Sequence, residues 1–171
     1  MAVDPRFPAV WGPDELFAYP RDKWIADGVP AAALPDGDEI PLEVTVVYTA
    51  FLDGEIGMFD ILHLTGEDSD LDIKLTVVGA VAENHNLLYV LDQRTGEVLQ
   101  FDLEEQDIQA VNSSFRQFVE FLWKFALFVE ADEGKQGRRE RALRLSGELR
   151  AIDPQAFEAD AWWPLVIDQT R

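Results

Sequence analysis

The spacing of apolar positions changes character twice along this chain. Up to about residue 43 they are scattered among proline and glycine. The stretch Trp11-Gly-Pro-Asp-Glu-Leu-Phe-Ala-Tyr19 has helix-start features. Pro13 suits a first turn, Asp14 and Glu15 complement the positive end of a helix, and Pro20 stops it. A short helical turn is expected over Asp22–Ala26, ended by Gly28 and Pro30, and residues 31–41 read as loop.

From Val44 to about Phe101 the apolar residues come in short β-type runs bounded by Gly, Asp or Asn. Candidate strands are Val44–Ala50, Met58–Thr65, Lys74–Val81, Leu87–Asp92 and Glu97–Asp102, with a brief one around Ile108–Val111. The spacings are too short for crossover helices, which predicts a mainly antiparallel sheet. Leu87–Leu91 and Val98–Phe101 flank Asp92-Gln-Arg-Thr-Gly96, where Gly96 supplies the positive φ that such a hairpin loop needs.

The period then becomes helical. Ser114 with Gln117 has capping-box spacing, and Asn112 or Ser113 are alternative caps. Phe115, Phe118, Val119, Leu122, Phe125, Ala126 and Val129 recur at steps of three and four and form one face. Phe121, Trp123, Leu127 and Phe128 widen that face, so this helix is expected to be covered on more than one side, by the sheet and by another helix. A second helix from Arg138 to about Ala151 places Ala142, Leu145, Leu149 and Ile152 on one side. Asp153-Pro154 is a cap-plus-first-turn pair for a short helix over Gln155–Glu158, and Asp160–Thr170 closes the chain with Trp162 and Trp163. The reading is one domain, 1–171, of the α+β class. It has a mainly antiparallel sheet of about five or six strands, with N-terminal and C-terminal flanking helices.

Charge changes the picture. The chain of 171 residues carries 33 acidic against 14 basic residues, a formal net charge of −19. Residues 1–112 hold 23 acids and 5 bases, and residues 113–171 hold 10 and 9. Acidity aids solubility, but solubility does not require the charge to collect in one part of the chain. A surface this negative repels phosphate backbones and anionic lipid and attracts cationic partners, so neither nucleic acid nor membrane is an expected partner. There are no cysteines, which excludes disulfides, thiolate metal sites and Cys nucleophiles. The N-terminus lacks a secretory pattern and no apolar run reaches a bilayer span, so a cytoplasmic location is expected.

Catalytic patterns are absent: no phosphate loop, no nucleophile elbow and no His-Glu-x-x-His. His63 falls on a strand face with Phe59 and Ile61 and reads as a satisfied, partly buried residue. His85, in Glu83-Asn-His-Asn86, reads as a solvated turn residue. Asp68-x-Asp70-x-Asp72 resembles the opening of a calcium loop, but the sixth and twelfth positions are Ile73 and Gly79 where that loop needs Gly and Glu. Arg138, Arg139, Arg141, Arg144 and Arg150 read as a solvated helix face with internal ion pairs. The five Trp are mostly core candidates, with Trp11 and one of Trp162 and Trp163 as possible exposed anchors. No catalytic residue, metal ligand or cofactor is assigned.

Three stretches together resemble a known family. They are Val90-Leu-Asp-Gln-Arg-Thr-Gly-Glu-Val98, then Val111-Asn-Ser-Ser-Phe-Arg-Gln-Phe-Val-Glu-Phe-Leu122, then Ile152-Asp-Pro-Gln-Ala-Phe157 leading to Trp162-Trp-Pro164. Their order and spacing resemble the SUKH superfamily of bacterial immunity proteins, in particular its fourth subfamily, from about Gly79 to Gln169. The resemblance implies a curved sheet with flanking helices. It also implies a non-catalytic role neutralising a toxin domain, often a nuclease or nucleic-acid deaminase. Under it, Asp92, Gly96, Asn112, Ser113 and Ser114 are turn and cap residues. Such toxins are cationic around the active site, so the expected partner is a cognate, basic protein toxin domain. The expected contacts are acidic residues on the strand connections: Asp53, Glu55, Glu67, Asp68, Asp70 and Asp72. Two readings stand beside this one: a general interaction or regulatory module without a toxin, and a carboxylate-based metal-dependent hydrolase.

Overall fold

The computed structural model describes residues 4–52, 54–66, 70, 72–132 and 134–170. Nine strands precede the three C-terminal helices, and α1 (Arg21–Asp27) lies between the first two strands, β1 (Leu16–Ala18) and β2 (Glu39–Pro41). The other strands are β3 (Glu43–Val44), β4 (Tyr48–Thr49), β5 (Ile61–Thr65), β6 (Asp72–Val81), β7 (Asn84–Asp92), β8 (Val98–Asp102) and β9 (Asp107–Asn112). The helices α2 (Phe115–Glu130), α3 (Arg138–Ile152) and α4 (Trp162–Gln169) follow, with a 3₁₀ turn at Pro154–Phe157.

β1 and β2 form a separate two-stranded ribbon. Seven strands form the main sheet in the order β3-β4-β6-β7-β8-β9, and β5 pairs with β6 on the edge that β4 also uses. Every pairing is antiparallel, as the short connections require. The architecture is therefore α+β as expected, with more strands than the hydrophobic runs suggested.

The N-terminal expectations need correction. Pro13–Glu15 is a single 3₁₀ turn, and Leu16–Ala18 continues as strand because Glu39–Pro41, read as loop, pairs with it. The run Val44–Ala50 is split, because the chain reverses at its middle and Val46 takes φ 63°. A β-branched residue there costs about 1–3 kcal/mol. The reversal is held by flanking contacts. Tyr48 donates its hydroxyl to the Val78 carbonyl (2.8 Å), and Tyr89 donates to the Val47 carbonyl (2.7 Å).

The two glycines that matter are places of close approach. Gly79 has φ +146° at a register shift in β6, and a Cβ there would lie 2.3 Å from Tyr48 Cε2. Gly96 has φ +82° in the β7–β8 turn, as the hairpin reading required, and a Cβ there would lie 2.4 Å from the Ala33 Cβ.

Alternation along the strands divides the sheet into two apolar faces. Tyr89, Leu91 and Val98 point toward α2, where the Tyr89 and Phe118 rings lie 4.9 Å apart. On its other side α2 meets α3 through Leu145 and Leu149 and α4 through Trp163, whose ring is 5.3 Å from that of Phe121. Covering α2 on both sides is what its wide apolar face demanded. The N-terminal segment closes the same core through Trp24 and Tyr19, each about 5.5 Å from Phe115. Trp11 is buried in this core, not an exposed anchor.

Leu75, Val77, Ala80, Leu88 and Val90 form a second cluster on the opposite face. Leu52 and Ile56, from the connection after β4, pack on it together with the half-buried Leu99, Phe101 and Leu103. Neighbouring Ile108, opposite Phe101 on β9, is 42% exposed.

Candidate protein-binding surface

Of the six carboxylates expected to contact a partner, Glu55, Asp70 and Asp72 are described and all three are exposed. Asp53, Glu67 and Asp68 lie outside the described residues. Glu55 sits in the connection whose Leu52 and Ile56 cover the second face. Asp70 lies between β5 and β6, and Asp72 opens β6 opposite Thr65. The structure does not gather them into one cluster. The connection carrying Glu55 rejoins the sheet at Asp60, whose carbonyl accepts the Val77 amide (2.8 Å). Val77 is five residues along β6 from Asp72, about 16 Å at strand rise.

His63 Nε2 contacts the Asp72 carboxylate across β5 and β6. That hydrogen bond, with the imidazole's charge, holds the Asp72 carboxyl below its ordinary value of 3.8. His63 is satisfied, as expected, but exposed. Its strand sits beyond the part of the sheet that the helices cover. His85 lies within β7, half-buried, not in a turn.

A second group of acids escaped the sequence reading. The β8–β9 hairpin, Asp102-Leu-Glu-Glu-Gln-Asp107, carries four carboxylates and no base. Asp102 makes the turn by accepting the Glu104 and Glu105 amides (2.9 and 3.1 Å). Asn86 donates to Glu104 (3.0 Å), tying this tip to the β6–β7 turn, where Glu83 is exposed. The density of acid in six residues was the available signal. It was masked because Asp102 also ends a strand run.

Seven cations are engaged elsewhere: Arg6, Lys23, Arg116, Lys124, Arg138, Arg141 and Arg144. Arg138 and Arg141 both bind Asp132, at 2.6 and 2.9 Å, and Arg144 faces Glu140. Arg116 grips Asp36 with both guanidinium nitrogens (2.8 and 3.0 Å), Arg6 reaches Asp4 and Glu120, and Lys124 reaches Glu148. These contacts hold the carboxyls of Asp4, Asp36 and Asp132 below the usual range, in each case chiefly through the arginine hydrogen bond. Among the described residues, no helical arginine pairs with Glu55, Asp70, Asp72 or the carboxylates of the β8–β9 hairpin. Asp72 is met by His63, and the others face solvent without a cation partner among those residues, which raises the negative potential there.

The family-motif residues form a separate, internal arrangement. The Asp153 carboxylate is buried and accepts from Asn112 Nδ2 (3.0 Å), the Ser113 amide (2.8 Å) and the Ser113 hydroxyl (2.7 Å). Trp163 Nε1 donates to Asn112 Oδ1 (2.8 Å). Asp153 was expected to cap the turn that follows it; instead its side chain reaches back to the end of β9. Ser114 caps α2, accepting the Gln117 amide at 3.1 Å as the capping-box spacing predicted. Trp162 is half-buried and donates to Tyr89. These are the groups of a latch that fastens the C-terminal segment to the sheet.

Among the described residues, no three His, Asp or Glu side chains converge as a metal site, and no helix is long and apolar enough to cross a membrane. The hollow near Asp72, about 380 Å³, is open and mixes Asp27, Asp72 and Asp92 with Lys74 and Arg94, so it focuses neither sign of charge.

Residues 49–169, from β4 to the end of α4, match the family model described as SUKH-4 immunity protein. No curated protein and no solved structure matches the chain.

Proposed function

The chain belongs to the SUKH-4 immunity protein family, and from that membership we propose that it binds a cognate, cationic, nucleic-acid-targeting toxin domain and neutralises it by occlusion in the cytoplasm. A toxin that acts on nucleic acid attracts phosphate with basic residues around its active site. Carboxylates projecting from strand connections compete for the same cations. The contacts assigned are Asp53, Glu55, Glu67, Asp68, Asp70 and Asp72, extended to Glu104, Glu105 and Asp107 of the β8–β9 hairpin. The half-buried Phe101 and Leu103 and the exposed Ile108, beside that hairpin, supply apolar area that strengthens once water is excluded. The activity is binding alone and requires no catalytic group.

One observation carries this reading. Among the described residues, Glu55, Asp70 and the carboxylates of the β8–β9 hairpin have no cation partner, while Arg116, Arg138, Arg141 and Arg144 are held by other acids. Uncompensated like charges are a cost to the free protein that a cationic partner removes. The test is titration of the chain with a catalytically dead toxin domain encoded by the neighbouring gene, across a salt series. Affinity should fall steadily as salt rises. Affinity flat from low to high salt removes the electrostatic part, and absence of a complex removes the toxin.

A further inference from the structure

We propose that the outer edge of β9 is a strand-addition site that takes an extended, cationic segment of the protein partner. This deepens the toxin-binding reading and rests on it for the identity of the partner. β9 ends the sheet order, with β8 on one side only. Which of its backbone groups face outward follows from the ladder. The Leu103 amide donates to the Asn86 carbonyl (2.9 Å), so Leu103 faces β7. By alternation Asp102 and Gln100 face β9, and their partners Asp107 and Gln109 face back. Ile108 and Ala110 therefore turn their amide and carbonyl groups away from the sheet. The Ile108 amide bears this out, because it is taken by the Asp107 carboxylate and not by β8. No backbone bond from elsewhere meets the outer edge of Ile108 or Ala110 among the described residues.

The edge opens on a groove of about 440 Å³, bounded on the far side by Gln155 and Glu158–Ala161. Gln109 bridges its floor by donating to the Asp160 carbonyl. From Asp107 to Ala110 the edge runs about 10 Å, room for three residues of an added strand. Main-chain bonds to Ala110 would give such a strand its register. Apolar side chains on one face would meet Ile108 and Ala110. Three carboxylates line the groove, Asp107, Glu158 and Asp160. All are exposed and none has a cation partner among the described residues, so the added strand must be basic. β3 is only two residues long, whereas β9 is six residues long and has a groove along its outer edge, so β9 is an edge that fits an occupant.

The probe is a blocked eight-residue peptide alternating lysine and valine, added to the full-length ¹⁵N-labelled chain, with a glutamate–valine peptide as control. Amide exchange at Ala110 should slow by roughly tenfold or more at saturation, while Gln109, already bonded to β8, stays unchanged. A110P removes the outward donor without breaking an internal bond and should abolish binding. Should that variant fold poorly, E158K, whose carboxylate makes no internal bond among the described residues, should weaken binding by roughly threefold or more through charge. Free exchange at Ala110 with the lysine peptide present, or equal binding of the glutamate peptide, overturns the proposal. A chain that protects Ala110 with the peptide but forms no complex with the toxin domain refutes the toxin reading only. A toxin complex in which Ala110 still exchanges freely refutes the strand addition only.

Discussion

Asp153→Ala should unlatch the C-terminal segment, and the size of the effect follows from the three bonds its carboxylate accepts. A hydrogen bond to a charged group contributes about 1.5–3 kcal/mol net. The Ser113 hydroxyl is part-buried and already reaches Gln155 Oε1 (2.8 Å), so it can find another partner. The Asn112 side-chain amide and the Ser113 backbone amide lose more, because each is held at that place by the carboxylate. Two such bonds give a loss of about 3–5 kcal/mol, a large share of a domain's usual 5–15 kcal/mol. For a chain of this length that is a fall in melting temperature of roughly 10 °C. Urea unfolding followed by tryptophan fluorescence reads it directly, since the Trp163 indole is bonded to Asn112. Asp153→Asn keeps the shape but turns one acceptor into a donor facing donors, and should fall between wild type and Asp153→Ala. With Asn112→Ala as the second arm, a double-mutant cycle should show coupling of about 1 kcal/mol or more. A loss below about 1 kcal/mol for Asp153→Ala would refute the latch.

Gly79→Ala should destabilise strongly, by about 3 kcal/mol or more, because its Cβ would collide with the buried Tyr48 ring at a positive φ; thermal melting checks this. Ser114→Ala removes the α2 cap and should cost about 1 kcal/mol in urea denaturation. The Asp4 carboxyl is depressed by Arg6, so its contribution is present above the ordinary carboxylate value of 3.8 and is lost as pH falls below it. Asp4→Asn should therefore lower stability at neutral pH and flatten the acid limb of a melting-temperature profile; an unchanged acid limb would contradict the pairing. Glu105→Lys should leave stability within about 0.5 kcal/mol while slowing association with the toxin domain, as stopped-flow mixing would show.

The strands from Lys74 onward and the helices α2 and α3 were legible because their apolar period was long enough to read. Gly96 and Ser114 are cases where local chemistry dictates local geometry. Leu16–Ala18 and Glu39–Pro41 were not legible, since each is a strand only because the other pairs with it. The reversal at Val46 was hidden for a similar reason. Nothing in Val44-Thr45-Val46-Val47 signals a turn, and the tyrosine hydroxyls that hold it come from residues up to 42 positions away. The acidic bias of the β-rich part was plain in the sequence, but its placement was not. Composition cannot tell which acids are matched by arginine and which are left facing solvent. That distinction separates Asp36 and Asp132 from Glu55, Asp70 and the β8–β9 hairpin.

The central claim is that toxin binding depends on where the negative charge sits and not on how much of it there is. Two variants of equal net charge decide it, measured by calorimetric titration with the inactive toxin domain. One carries lysine at Glu55, Asp70 and Glu105 on the strand connections. The other carries lysine at Glu130, Glu140 and Glu148 on the helices, all exposed. The first should bind at least about 100-fold more weakly than wild type and the second within about threefold of it. Equal losses in the two would contradict the account.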